Sequence, residues 1–229
     1  MSTGSGLQPG PDGDGVRPDL RAAVIRIARG MADGGLSRGT SGNVSVRAGA
    51  DSFWITPTGM DYDTLTPADI PLVFADGRQE GSRLPSSEWR FHRDVYVHRP
   101  QVEAVLHAHS PFAVSLACAR SDIPAFHYMI ARFGGDTIRC ARYATFGTQE
   151  LSDAVLEALA DRTACLLANH GMLVCADHPG QLLPAAVELE ELCEQYWRTC
   201  QFGSPALLSA AQMAQVLEKF AGYGQQPGR

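Results

Sequence analysis

No run of apolar residues in this chain approaches the roughly 18 that a membrane-crossing helix requires. The N-terminus also lacks a Lys- or Arg-led apolar segment of the secretory type. Both absences point to a soluble, cytoplasmic protein with no membrane partner. Basic residues are in deficit: 19 Lys and Arg stand against 25 Asp and Glu, a formal net charge of −6. A nucleic-acid binder needs a clustered basic surface to neutralise phosphates, so that class is disfavoured. The six cysteines, Cys118, Cys140, Cys165, Cys175, Cys193 and Cys200, contain no CxxC pair. Scattered through apolar segments, they read as reduced, buried thiols rather than disulfides or metal ligands. The nucleotide-binding pattern GxxxxGK[ST] is missing as well, and no internal repeat is visible.

What remains is a chain of 229 residues, 45% apolar, which is enough to bury the core of one compact α/β domain whose partners are small molecules or its own copies. Residues 1–18 are mostly Gly, Pro, Ser and Asp with almost nothing to bury, and read as a loose tail. The domain is expected over 19–223, followed by a short flexible end at 224–229. Leu20, Val24, Ile27 and Met31 recur at helical spacing behind an Asp19 cap and stop at Gly34-Gly35. Strands VSVR, FWITP and PLVFADGR then suggest a β-meander with turn-rich loops. A helix over LPSSEWRFHRDVYVH is expected to be capped by Ser87 and closed before Pro100. The strand VEAVLHAHS hands over at Ser110-Pro111 to a helix, PFAVSLACAR, with Ser110 as N-cap and Pro111 in the first turn. Farther on come an amphipathic helix ELSDAVLEALADR, two short strands around Asn169-His170-Gly171, a long helix HPGQLLPAAVELEELCEQYWRTCQ, and a last helix SAAQMAQVLEKF.

Histidines carry the chemical signal. Side chains alternate across a strand, so His107 and His109 in VLHAHSP point to one side while Leu106 and Ala108 point to the other. That spacing can bring two imidazoles to one metal ion. A strand end with two hydrogen-bonded histidines explains it equally well. His170 is held in a tight turn, with Gly171 available for positive φ. Three neutral imidazoles with one open position form a catalytic zinc arrangement, although sequence separation does not show that His170 meets the other two. Glu88 is placed in the first turn of its helix, where exposed N–H groups stabilise a carboxylate and suffice to explain it. Trp89, His92 and Tyr96 form the core-facing side of that helix, which keeps His92 out of any metal site. Ser86 and Ser87 at the same helix start, with the loops RGTSGN and TPTG, offer hydroxyl and N–H donors suited to a phosphate. Capping and turn chemistry account for each of them singly.

Taken together, GTSGNVSVR, ITPTGM, LPSSEWRFH, HAHSP, IPAFHYMI, YATFGT and NHG resemble the class II, zinc-dependent aldolase family, in family order from about Asp19 to Tyr223. The similarity is strongest to members that cleave L-fuculose 1-phosphate. The resemblance implies a three-layer α/β/α domain with a largely antiparallel central sheet, the class II aldolase/adducin head fold. It also implies a cyclic homotetramer with active sites between subunits. Carried over position by position, His107, His109 and His170 become ligands of one Zn2+ per subunit. Glu88 becomes the acid/base and a further zinc ligand in the unliganded state. Gly42, Asn43, Thr58, Gly59, Ser86 and Ser87 become the phosphate cradle. Tyr128 matches a tyrosine of the adjacent subunit that protonates the aldehyde oxygen, Phe146 an aromatic wall for the aldehyde, and Tyr223 a mobile C-terminal tyrosine.

The implied reaction is reversible cleavage of a ketose 1-phosphate, L-fuculose 1-phosphate or a related deoxyketose 1-phosphate, to dihydroxyacetone phosphate and an aldehyde through an enediolate. Pentulose-phosphate 4-epimerases of the same family carry Asp where this chain has Glu88. Another relative decarboxylates a 3-oxo acid phosphate. A non-catalytic adducin-like binding module would lack the three histidines.

Overall fold

The structure, a computed structural model, describes residues 19–222. The expected loose ends at 1–18 and 224–229, and Tyr223 with them, lie outside the described residues. Helix α1 (Leu20–Asp33) starts where the Asp19 carboxylate accepts the Arg21 N–H at 3.0 Å. It stops in a Schellman arrangement: Gly35, at φ 71, bonds back to the Ala32 carbonyl, and Leu36 to that of Met31. Strands β1 (Asn43–Gly49), β2 (Ser52–Ile55), β3 (Leu72–Phe74) and β4 (Gln79–Glu80) form the expected antiparallel meander. Then follow α2 (Trp89–His98), β5 (Ala104–Ala108), α3 (Pro111–Cys118), β6 (Arg139–Ala141) and α4 (Gln149–Ala158). The chain continues through β7 (Ala164–Leu167), β8 (Gly171–Ala176), α5 (Pro179–Cys200) and α6 (Ala210–Ala221). None of the helices is long and apolar enough to cross a membrane among the described residues.

The eight strands form one sheet in the order β4-β3-β2-β1-β5-β8-β7-β6, antiparallel except for the β6–β7 pair, which is joined through α4. Strand alternation sorts side chains to its two faces. Ala104, Leu106 and Ala108 of β5, with Met172 and Val174 of β8, join a core built under α1, α3, α5 and α6. Val105, Leu173 and Cys175 join a second core with Phe91 and Val95 of α2 and Val155 of α4. The result is the expected three-layer α/β/α domain. Cys165, Cys175 and Cys193 are buried as expected, but Cys118 and Cys200 are exposed, because each sits at the end of a helix on its solvent side; all six thiols are free.

Three local expectations are corrected. The N-cap of α2 is Glu88, not Ser87, because the Trp89 N–H is taken by the Ser86 carbonyl (3.1 Å) in a turn that delays the helix by one residue. Ser110 holds the N-cap position of α3 but does not cap it with its hydroxyl, which donates instead to Glu190 Oε2 at 2.6 Å. That α5 carboxylate also accepts the Phe112 and Ala113 N–H groups, at 2.8 and 2.9 Å, capping α3 from another helix. In the β7–β8 turn the left-handed residue is Asn169 (φ 55), not Gly171. Gly171 is required for a different reason: a Cβ there would collide with the Ala108 carbonyl oxygen of the neighbouring strand. Gly171→Ala is therefore expected to destabilise the fold by about 1–3 kcal/mol through overpacking, read as a lowered midpoint in thermal unfolding; an unchanged midpoint would contradict this.

Candidate active site

The β5–β8 pairing sets His107 opposite Leu173 and Ala108 opposite Met172, which brings the 168–170 turn alongside His109. The three imidazoles meet edge to face, with ring centroids 4.8, 4.6 and 4.9 Å apart. One ligand nitrogen from each lies within 4.8 Å of the others. His107 is fully buried, and its Nδ1–H donates to the Met172 carbonyl at 2.9 Å, which turns the lone pair of Nε2 toward His109 Nε2, also 2.9 Å away. Burial pushes the His107 imidazole down to about 3, with His109 adding to the effect and the Met172 hydrogen bond opposing it. Burial likewise lowers His170 to about 4 and lowers His109, in both cases against the pull of Glu88. Burial thus favours the neutral, lone-pair-bearing form of all three rings.

Glu88 faces these rings rather than the N–H groups of its own helix, which corrects the first-turn explanation. Its Oε2 lies 3.3 Å from His107 Nε2, and its Oε1 3.4 Å from His170 Nε2. Oε1 is buried without a hydrogen-bond partner. Converging lone pairs and an unpartnered carboxylate oxygen repel one another unless a cation sits among them. Three neutral nitrogens and one oxygen therefore fit a divalent cation with nitrogen-type ligands.

Beside the histidines opens a cavity of about 390 Å³, lined by residues 40–43, 57–59 and 86–88 together with His109, Asn169, His170, Tyr143, Ala144 and Phe146. The six residues expected to cradle a phosphate, Gly42, Asn43, Thr58, Gly59, Ser86 and Ser87, all line this cavity. The two loops are tied together, Thr58 N–H to Leu84 and Ser86 N–H to Thr56, each at 3.0 Å. Gly42 (φ 85) leaves no room for a Cβ beside the His107 carbonyl and Ser37. The Asn43 side chain is engaged: its amide nitrogen donates to Glu88 Oε2 at 2.9 Å, and its oxygen accepts from His92. Phe146 is 64% exposed at the cavity wall.

Tyr128 is not brought to the histidines of its own chain. It is 51% exposed in a 3-10 segment (Tyr128–Phe133) and lines a separate cleft with Met129, Arg132 and Lys219. Tyr223 lies outside the described residues. Sequence reasoning passed over Tyr143 and Asn169 in the cavity wall, and over His92 behind Glu88. For His92 a signal existed: it follows Glu88 by four residues, one helical turn. The chain's single lysine, Lys219, is on α6, so no lysine amine of this chain lines the cavity to form a Schiff base.

Residues 22–197 match the model of the Class II Aldolase and Adducin N-terminal domain. The chain is 50% identical over 210 residues (92% of this chain, 95% of the relative) to the 5-methylthioribulose-1-phosphate/5-deoxyribulose-1-phosphate aldolase of Rhodospirillum rubrum. It is 44% identical over 209 residues (91% and 97%) to the L-fuculose phosphate aldolase of Escherichia coli K12. A solved structure of an L-fuculose 1-phosphate aldolase superposes with a TM-score of 0.85 at 37% identity, covering 90% of this chain and 98% of that one. By sequence and by fold alike, this chain belongs to the class II aldolase family.

Proposed function

We propose that this protein is a zinc-dependent aldolase that reversibly cleaves a ketose 1-phosphate, L-fuculose 1-phosphate or a related deoxyketose 1-phosphate, to dihydroxyacetone phosphate and an aldehyde. The observation that carries this reading is the convergence of His107, His109, His170 and Glu88 at the edge of a cavity that is also lined by hydroxyl-bearing and glycine-rich segments with backbone N–H donors. The names of the relatives agree on the reaction type and differ on the sugar.

His107, His109 and His170 would hold a zinc ion, which would supply a Lewis acid for negative charge developing on the substrate oxygens without redox chemistry. Thr58, Gly59, Ser86 and Ser87, with Gly42 and Asn43, hold the phosphate through neutral donors at the start of α2, so that no cationic side chain competes for the reacting end. An acidic protein can thereby bind an anionic sugar. Glu88 holds and returns the proton exchanged at the enediolate carbon. Phe146 and Tyr143, exposed at the cavity wall, form an apolar face for an aldehyde that ends in a methyl or thioether group.

In this reading Tyr128 acts across a subunit boundary in a cyclic homotetramer. In the condensation direction it donates a proton to the aldehyde oxygen, and in cleavage it takes the proton back. Its exposure on one chain, away from that chain's own histidines, is what such a role requires. Tyr128→Phe should lower kcat for ketose cleavage by roughly 10²-fold while changing proton exchange on dihydroxyacetone phosphate far less, since exchange does not involve the aldehyde half. Equal losses in the two assays would contradict this role.

The function itself is tested by offering L-fuculose 1-phosphate, 5-deoxyribulose 1-phosphate and 5-methylthioribulose 1-phosphate to the zinc-loaded protein and following dihydroxyacetone phosphate. Its release from at least one of them is expected. Release from none, with epimerised or decarboxylated products from other sugar phosphates, would favour the family's alternative chemistries.

A further inference from the structure

Next to Glu88 runs a line of buried polar groups of which only Asn43 lines the cavity, while His92 lies near enough to His107 for each to disfavour charge on the other. His92 and Ser45 are fully buried, Asn43 is 2% exposed and Tyr96 5%. Ser45 Oγ lies 2.8 Å from the Tyr96 hydroxyl and 2.7 Å from His92 Nδ1; His92 Nε2 lies 2.6 Å from Asn43 Oδ1; Asn43 Nδ2 lies 2.9 Å from Glu88 Oε2. The polarity follows from the carboxylate end. An ionised carboxylate only accepts, so Asn43 turns its NH2 to Glu88 and its carbonyl to His92. The carbonyl only accepts, so the His92 proton is on Nε2. Burial keeps His92 neutral, which leaves Nδ1 to accept the Ser45 hydroxyl hydrogen, and Ser45 in turn accepts from Tyr96. Every group between Tyr96 and Glu88 is satisfied in one consistent direction. The rings of Phe91 and Phe53 stack with His92, their centroids 4.8 and 6.5 Å from its own, and hold it in an otherwise apolar layer. A satisfied network in such a layer is rigid.

We propose that Ser45, His92 and Asn43 are positioning residues for Glu88: His92 fixes the Asn43 amide so that its N–H, not its carbonyl, faces the carboxylate, and so aims Glu88 at the histidine cluster for proton transfer. This rests on Glu88 being the acid/base. Two sequence periods build the device, His92 of α2 four residues after the N-cap Glu88 and Asn43 and Ser45 two residues apart on one face of β1.

His92→Phe keeps a ring against Phe91 and Phe53 and removes both nitrogens. With zinc content, thermal midpoint and KM for dihydroxyacetone phosphate measured alongside, the expected result is a near-unchanged KM and zinc content with kcat for proton exchange lowered by roughly 10²-fold, the effect of a misplacement of about 1 Å. His92→Gln, which returns an N–H donor near the Nε2 position, should recover a substantial part of that loss. Should the Phe variant not fold, Ser45→Ala removes one hydroxyl and is expected to lower kcat several-fold at unchanged KM and zinc. Full kcat in His92→Phe or Ser45→Ala at full zinc, or a Gln variant no better than Phe, overturns the inference. Glu88→Gln separates the two levels: wild-type exchange there removes the acid/base reading itself, whereas lost exchange there with wild-type exchange in His92→Phe removes only the positioning chain.

Discussion

His109→Ala is expected to lose both bound metal and ketose cleavage, with activity falling by about 10³-fold or more, because the several kcal/mol of charge stabilisation that a Lewis acid provides go with the ion. His109 is the best of the three positions for this test. His107 is fully buried and anchored on the Met172 carbonyl, so its removal would leave a cavity under Phe91 and an unpaired acceptor. His109 is only part-buried and lies one residue beyond β5, and its backbone N–H stays on Ser37 Oγ at 3.4 Å whatever the side chain. The variant should therefore fold normally while offering two nitrogens where there were three. A folded His109→Ala protein with full metal content and undiminished cleavage would remove the triad from the reaction.

Glu88→Gln should retain the metal and lose proton exchange on dihydroxyacetone phosphate by about 10²- to 10⁴-fold, the range that a positioned acid/base contributes. The amide has the same shape as the carboxylate. Its oxygen can still accept from Asn43 Nδ2, which keeps the side chain in place beside the three imidazoles. What the amide lacks is the ability to carry a proton. Retained metal with lost exchange separates acid/base work from ligation. Normal exchange in this variant would take Glu88 out of its role, and loss of the metal along with exchange would make it chiefly a ligand.

Local periodicity makes part of this site legible in the sequence. The two-residue period of β5 is enough to put His107 and His109 on one face, and the turn residues around His170 are enough to hold that side chain at a strand end. Nothing local says that these ends are neighbours. That follows from the antiparallel β5–β8 pairing, between segments more than sixty residues apart, and only the resemblance to the class II aldolases anticipated it. Where local reasoning failed, a tertiary partner had taken over the group concerned. Glu190 of α5 caps the helix that Ser110 was expected to cap, and the β5 backbone, not a positive φ, is why position 171 must be glycine. His92 was correctly kept out of the histidine cluster, but the same burial that made it look like core holds it against Asn43. Tyr128 is legible only as a match to the family pattern, since one chain does not bring it to the histidines.

Metal-dependent carbon–carbon cleavage at the three histidines is the core of the proposed reaction. The measurement is zinc content per chain by mass spectrometry, paired with dihydroxyacetone phosphate release from a ketose 1-phosphate before chelation, after chelation and after zinc is restored. One zinc per chain, loss of release on chelation and its return with zinc are predicted. A protein that carries no stoichiometric metal, and whose cleavage of the same ketose is unchanged by the chelator, would contradict it.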